Sequence, residues 1–173
     1  LEPQFANQVL HAEDISSFEI YGLWNLYHDT KIDKNTILEQ LLNILTDQKQ
    51  SDLNKIIVAY VLRFIEIPKD VQEEILQIDL NGLSKSVQMQ LLATILISFD
   101  VEGQKYEFYK QNLLSLEREP DFYPTAILAL ADKGLQENTN EIEKYAVRLT
   151  DSTASTYSAD HHATANYAWL KYH

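Results

Sequence analysis

The side chains best suited to chemistry crowd the end of the chain. The stretch from Tyr157 to His173 holds three of the five histidines, with Asp160, His161 and His162 in a row. Imidazole titrates near neutrality and is a common metal ligand, so such a cluster invites a site reading. On a helix His162, Asn166, Trp169 and His173 recur at i, i+4, i+7 and i+11 and share one face, with Ala163, Tyr167 and Leu170 beside it. Three uses follow. The alanine, tyrosine and leucine pack while the histidine face is solvated. Alternatively, Tyr157, His162, Asn166 and Trp169 line a pocket or groove. Or Asp160 with His161 or His162 holds a metal. The metal reading is the weakest, because adjacent histidines point to different faces and no third ligand is visible.

A second cluster lies near the start. Phe18, Tyr21, Trp24 and His28 stand at helical spacing, with Tyr27 next to the last. Aromatics so spaced belong to a core, or they line a concave surface. Trp and Tyr suit binding surfaces because they add apolar area and a polar handle at small entropic cost. Tyr21, Trp24 and His28 therefore join Tyr157, His162, Asn166 and Trp169 as ligand-binding candidates. The acidic pairs Glu73–Glu74 and Glu117 with Glu119 do not qualify as acid–base partners. Neighbours one or two apart on a helix do not face each other.

Much chemistry has no residues to carry it. The sequence has no Gly-rich phosphate loop, His-Glu-x-x-His, Gly-x-Ser-x-Gly or calcium-loop spacing. It has no cysteine, hence no disulfide, thiolate ligand or thiol nucleophile. No catalytic residue and no cofactor is assigned. A net charge of −12 sets the chain against nucleic acid and anionic membrane surfaces, and no basic cluster offsets it. The acid is spread along the chain, which suits a solvated surface and, more sharply, a cationic partner.

The elements that must position these residues read as helices. Four glycines and four prolines among 173 residues are too few for strands joined by tight turns. Mostly apolar segments run from Phe18 to Tyr27, Ile56 to Ile65, Leu91 to Phe99 and Ala126 to Ala131, with a weaker aromatic one from Ala163 to Tyr172. Small residues near their centres, Gly22, Ala59, Ala93, Ala129 and Ala168, are separated by 37, 34, 36 and 39 residues. A near-constant step marks a repeat array. Amphipathic segments alternate with them: Ile37, Leu38, Leu41, Leu42 and Leu45; Val71, Ile75 and Ile78; Tyr106, Tyr109, Leu113 and Leu116; Ile142, Tyr145, Ala146 and Leu149. The apolar helices are expected in a buried layer, and the amphipathic ones with one face on it and one in water. Thr36 with Glu39, Asp70 with Glu73, and Asn138 with Glu141 stand at capping spacing. Pro68 and Pro120 are placed at helix starts, Gly134 at a helix stop, and Asn81-Gly82 in a turn.

The stretch Ser86-Val87-Gln88-Met89-Gln90-Leu91-Leu92-Ala93-Thr94-Ile95-Leu96 resembles the second helix of a HEAT-type repeat. Pro124-Thr125-Ala126-Ile127-Leu128-Ala129-Leu130-Ala131 is similar to helices of the α/α toroids of terpene cyclases and prenyltransferases. The resemblance is one of helix texture and names a class. It implies an all-α fold of stacked antiparallel helix pairs forming an α/α superhelix, or part of an α/α toroid. The toroid's usual catalysts are missing: the prenyltransferase zinc cysteine has no counterpart, nor has the cyclases' aspartate-rich motif.

The chain is thus expected to be a single all-helical domain over residues 1–173. A start at Leu1-Glu2-Pro3 without Met and a final half-unit suggest a piece of a longer chain. Its compartment is unreadable: cytoplasmic, or outside the cell after loss of a signal peptide. The expected function is a non-catalytic binding or scaffold module presenting a curved surface to a protein or peptide. The alternative is an enzyme or small-ligand domain using the His- and Tyr-rich last helix. No apolar run reaches the ~20 residues of a membrane span, so no insertion is expected.

Overall fold

The computed structural model describes residues 15–28, 33–133 and 138–150, with side chains described as far as residue 148. Among these residues the fold is all-helical, with no strand. The eight α-helices are α1 Ser17–Tyr27, α2 Lys34–Thr46, α3 Asp52–Val61, α4 Lys69–Leu76, α5 Lys85–Ser98, α6 Gly103–Leu114, α7 Phe122–Asp132 and α8 Thr139–Thr150. Short 3₁₀ turns, Leu62–Phe64 and Leu80–Gly82, follow α3 and α4. No helix among the described residues is long and apolar enough to cross a membrane. The chain divides into two compact units, Leu1–Val87 and Gln88–His173.

In the first unit α1 begins at a capping box. Glu19 N–H donates to Ser16 Oγ at 3.4 Å, and the Glu19 carboxylate accepts from Ser16 N–H and O–H, both at 2.6 Å. Two of the free N–H groups at the helix start are satisfied reciprocally. The same hydrogen bonds hold the Glu19 carboxyl below its ordinary range. The helix α2 realises the amphipathic reading. Ile37, Leu38, Leu41, Leu42, Ile44 and Leu45 are buried, while Glu39, Asn43 and Thr46 face water.

The polar ties fix the directions of these helices. At their starts, Ser17 Oγ on α1 donates to Asn54 Oδ1 on α3 at 3.0 Å. At their ends, the Tyr27 hydroxyl donates to the Glu66 carbonyl just beyond the turn after α3. Start meets start and end meets end, so α1 and α3 run parallel. The helix α2 returns between them and packs on both.

The second unit repeats this logic. Phe122 at the start of α7 stacks edge-on against Tyr145 midway along α8, at 5.2 Å. Asn138, just before α8, donates from Nδ2 to the Leu130 carbonyl near the end of α7, at 3.0 Å. These two helices are therefore antiparallel. The same Nδ2 donates to the Tyr106 hydroxyl near the start of α6 at 2.7 Å. Glu117, just past the end of α6, pairs with Arg148 near the end of α8 at 2.8 Å. So α6 and α8 run parallel with α7 reversed between them. The helix α5 is buried almost all round from Val87 to Leu96, as a helix apolar on every face should be.

Several expected boundaries shift. Asp33, not Thr36, caps α2: its carboxylate accepts from Asn35 N–H at 3.2 Å and from the Thr36 hydroxyl at 3.1 Å. Thr36 already lies inside the helix. Pro68 occupies the capping position of α4, so Asp70 falls in the first turn instead of capping it. Asn138 Oδ1 takes no hydrogen bond, and neither does Glu141 Oε2, so the expected reciprocal cap is not formed. Asn138 is turned instead to tie three helices through its Nδ2. Pro120 lies in the turn before α7, with Asp121 at φ 60° between them. Ile78 and Leu116 fall just past the ends of α4 and α6. Asn81-Gly82 does form a turn. Gly134 and the segment from Ala163 to Tyr172 lie outside the described residues.

Candidate functional site

Parallel packing of α1 on α3 leaves one aromatic strip in water. Positions 53, 57 and 60 on α3, and 64 in the 3₁₀ turn that follows it, fall along one side by helical spacing. Three of them carry large exposed apolar side chains: Leu53 at 58%, Tyr60 at 44% and Phe64 at 50% exposure. On α1, Phe18 is 78% and Tyr21 42% exposed. Trp24 is half-buried and His28 exposed. Trp24 joins the two helices, with its ring 6.2 Å from Phe64 and 6.0 Å from His28. Phe64 in turn meets Tyr60 edge-on at 5.0 Å.

Polar groups border the strip. The Trp24 Nε1–H is buried and has no hydrogen-bond partner. An unpaired buried donor costs about 1–3 kcal/mol. The Arg63 guanidinium lies 5.5 Å from the Tyr60 ring centre, and Lys34 Nζ lies 4.8 Å from that of Tyr27. Burial draws the Arg63 guanidinium down to about 10, which leaves it charged at neutral pH.

Of the sequence candidates, Tyr21, Trp24 and His28 thus lie along one side of α1. Tyr27 separates from them. It is buried at 4% exposure and serves the α1–α3 joint. Burial, then the Glu66 carboxylate, raises its phenol above the ordinary range. Tyr157, Asp160, His161, His162, Asn166 and Trp169 lie outside the described residues. Among the described residues no group of His, Cys, Asp and Glu could hold a metal. Leu53, Tyr60 and Phe64 were missed. The stretch from Ile56 to Ile65 is so uniformly apolar that it read as buried, and the i, i+4, i+7, i+11 spacing of Leu53, Ile57, Tyr60 and Phe64 was the signal for an outward face. The apolar helices α1 and α3 are therefore not wholly buried.

In the second unit a groove of about 930 Å³ lies beside the turn between α6 and α7, bordered by Glu117, Arg118, Asp121, Tyr123 and Arg148. Two of its charges, Glu117 and Arg148, answer each other. Glu117 pairs with Arg148 at 2.8 Å and Lys144 at 3.2 Å, and Arg148 donates to the Tyr123 hydroxyl at 2.6 Å. Exposed pairs of this kind contribute about 0–1 kcal/mol each. Beneath them Tyr145 is buried, and its phenol is pushed up to about 12 by burial first, then by Glu117, Glu141 and Tyr123. An unfolded tyrosine titrates near 10. The folded state therefore favours the neutral phenol. That contribution is full below pH 10 and is lost as pH rises through 12. Urea unfolding at stepped alkaline pH should show stability falling across this window, and Tyr145→Phe should flatten the fall while leaving neutral-pH stability within about 1 kcal/mol.

No protein-family model matches the chain, and no match was found among curated proteins or among solved structures.

Proposed function

We propose that this chain is a helical-repeat binding module that takes a protein or peptide segment along the aromatic strip of α1 and α3. The observation that carries the reading is the exposure of Phe18, Tyr21, Leu53, Tyr60 and Phe64 along two parallel helices and the turn that follows the second. Exposed aromatics at such density are costly in water unless something covers them. Aromatic anchors in a water-excluding cluster are the usual centres of protein interfaces. A peptide supplies what the strip can use, apolar side chains for the exposed rings. A net charge of −12 favours a neutral or basic segment over an acidic one and argues against nucleic acid.

The repeat reading is supported by the arrangement inside each unit. A parallel pair with a reversed helix between recurs as α1, α2, α3 and as α6, α7, α8. Ala59, Ala93 and Ala129, three of the five small residues at the repeat step, are all fully buried. Stacked helix pairs that bury a continuous core commonly present binding surfaces.

A displayed library of random peptides, selected on the full chain, tests the reading. Enriched peptides should be free of net negative charge and should quench Trp24 emission in a Trp169→Phe background. Phe64→Ala should weaken them by roughly 2–4 kcal/mol, a hot-spot loss, and Tyr60→Ala by about half of that. Peptides that bind the wild type and Phe64→Ala equally well would remove the strip from consideration.

A further inference from the structure

We propose that Asn81 is a site of spontaneous backbone modification, converting to aspartate and isoaspartate, and that Asp79 sets its rate. The sequence holds ten asparagines, and Asn81 is the one followed by glycine. The structure sets this pair in the exposed turn Leu80–Gly82 between α4 and α5, with both residues in water. Nothing lies within 4 Å of where a Gly82 side chain would be, so the turn is open to water on that side.

The chemistry needs only water. The Gly82 backbone nitrogen attacks Cγ of Asn81. The N–Cγ bond forms, the Cγ–Nδ2 bond breaks, and the nitrogen's proton leaves with the amide as ammonia. Water then opens the resulting five-membered imide at either carbonyl. Opening at Cγ restores a normal backbone with aspartate. Opening at the main-chain carbonyl routes the backbone through the side chain as isoaspartate. The net change is loss of ammonia and gain of water, with no oxidation or reduction. Glycine is the favourable successor because it lacks a Cβ to crowd the attacking nitrogen and tolerates the geometry of the ring.

The turn itself restrains the step. Asp79 Oδ1 accepts from Asn81 N–H at 3.0 Å and from Asn81 Nδ2 at 3.3 Å. The Asp79 carbonyl accepts from Gly82 N–H at 3.1 Å. One residue thus holds the leaving amide, the adjacent backbone and the nucleophile's proton. Attack requires these bonds to open, so the folded chain reacts more slowly than the unfolded one, and at a rate governed by Asp79. The product adds a negative charge, and in the isoaspartate form an extra backbone carbon, to the connection between α4 and α5.

The test is timed incubation of the full chain at neutral pH, followed by peptide mapping with fragmentation that separates isoaspartate from aspartate. Asn81 should gain the mass of an amide-to-acid exchange ahead of the other described asparagines, with both products present. Asp79→Ala should speed this about three- to tenfold, since it removes the two side-chain hydrogen bonds. Gly82→Ala should slow it by at least ~10-fold without changing the helical spectrum, as its Cβ meets open space. Asn81 staying intact in the folded chain, while the urea-unfolded chain converts there, would show that the turn blocks the reaction and overturn the proposal. An unchanged rate in Asp79→Ala would overturn the role of Asp79.

Discussion

Replacing Phe122 with alanine should cost about 3–5 kcal/mol, enough to unfold the second unit under mild conditions. Phe122 is fully buried at the start of α7. Its ring meets Tyr145 of α8 at 5.2 Å, nearly perpendicular. The pair lies at the point where α7 and α8 approach each other and beneath the Glu117, Lys144 and Arg148 cluster. Truncation removes the buried ring and leaves a cavity that two helices cannot both close around, so the transfer and cavity terms add. Phe108 offers an internal control. It is the same residue type on α6 but is 57% exposed. Phe108→Ala should change stability by no more than about 0.5 kcal/mol. Urea titration followed by circular dichroism would separate the two. Similar midpoints for both variants would mean that Phe122 does not anchor this packing.

The contrast between these two phenylalanines also marks what could be read from the sequence. Periodicity found the elements. Every apolar position assigned to the face of α2 is buried, from Ile37 to Leu45. Apolarity alone did not find faces. In α3 the segment is apolar on several sides, and which side packs is decided by α1 and α2, which sequence spacing does not place. Hence Tyr60 and Phe64 emerge as surface although they read as core. Caps were ambiguous for a related reason. Asp33 and Thr36 can both offer an oxygen to a helix start, and the chain uses Asp33 because its carboxylate engages Asn35 and Thr36 together. Ser16 with Glu19 carries the same signature, just ahead of the aromatic run that begins at Phe18. The half of the candidate site on α1 was legible from the spacing of Phe18, Tyr21, Trp24 and His28. The half on α3 required knowing that the two helices lie side by side.

That adjacency leads to the second large effect. Asn54→Ala should cost about 2–3 kcal/mol and loosen the start of α1 from α3. Asn54 is 7% exposed and satisfied on both sides of its amide. Its Nδ2 donates to the Ile15 carbonyl at 2.7 Å and to Gln50 Oε1 at 3.2 Å, while Oδ1 accepts from the Ser17 hydroxyl at 3.0 Å. Alanine leaves the Ile15 carbonyl without this buried donor, and an unpaired buried group carries its full desolvation cost, about 1–3 kcal/mol. Ser17→Ala removes the weaker, half-exposed end of the same network and should cost ~0.5–1 kcal/mol. Asn54→Asp is the sharper probe. It keeps an acceptor for Ser17 but turns a carboxylate oxygen toward the Ile15 carbonyl, so above the carboxyl's pKa it should be at least as damaging as alanine. Acidification that protonates the carboxyl should restore part of the loss. If all three variants unfold at the same urea concentration as the wild type, the joint between α1 and α3 is held by apolar packing alone. If both Asn54 variants are severe at neutral pH while Ser17→Ala is mild, this amide fixes the register that sets Trp24 against Phe64, and peptide affinity at the strip should fall with it even where the chain remains folded.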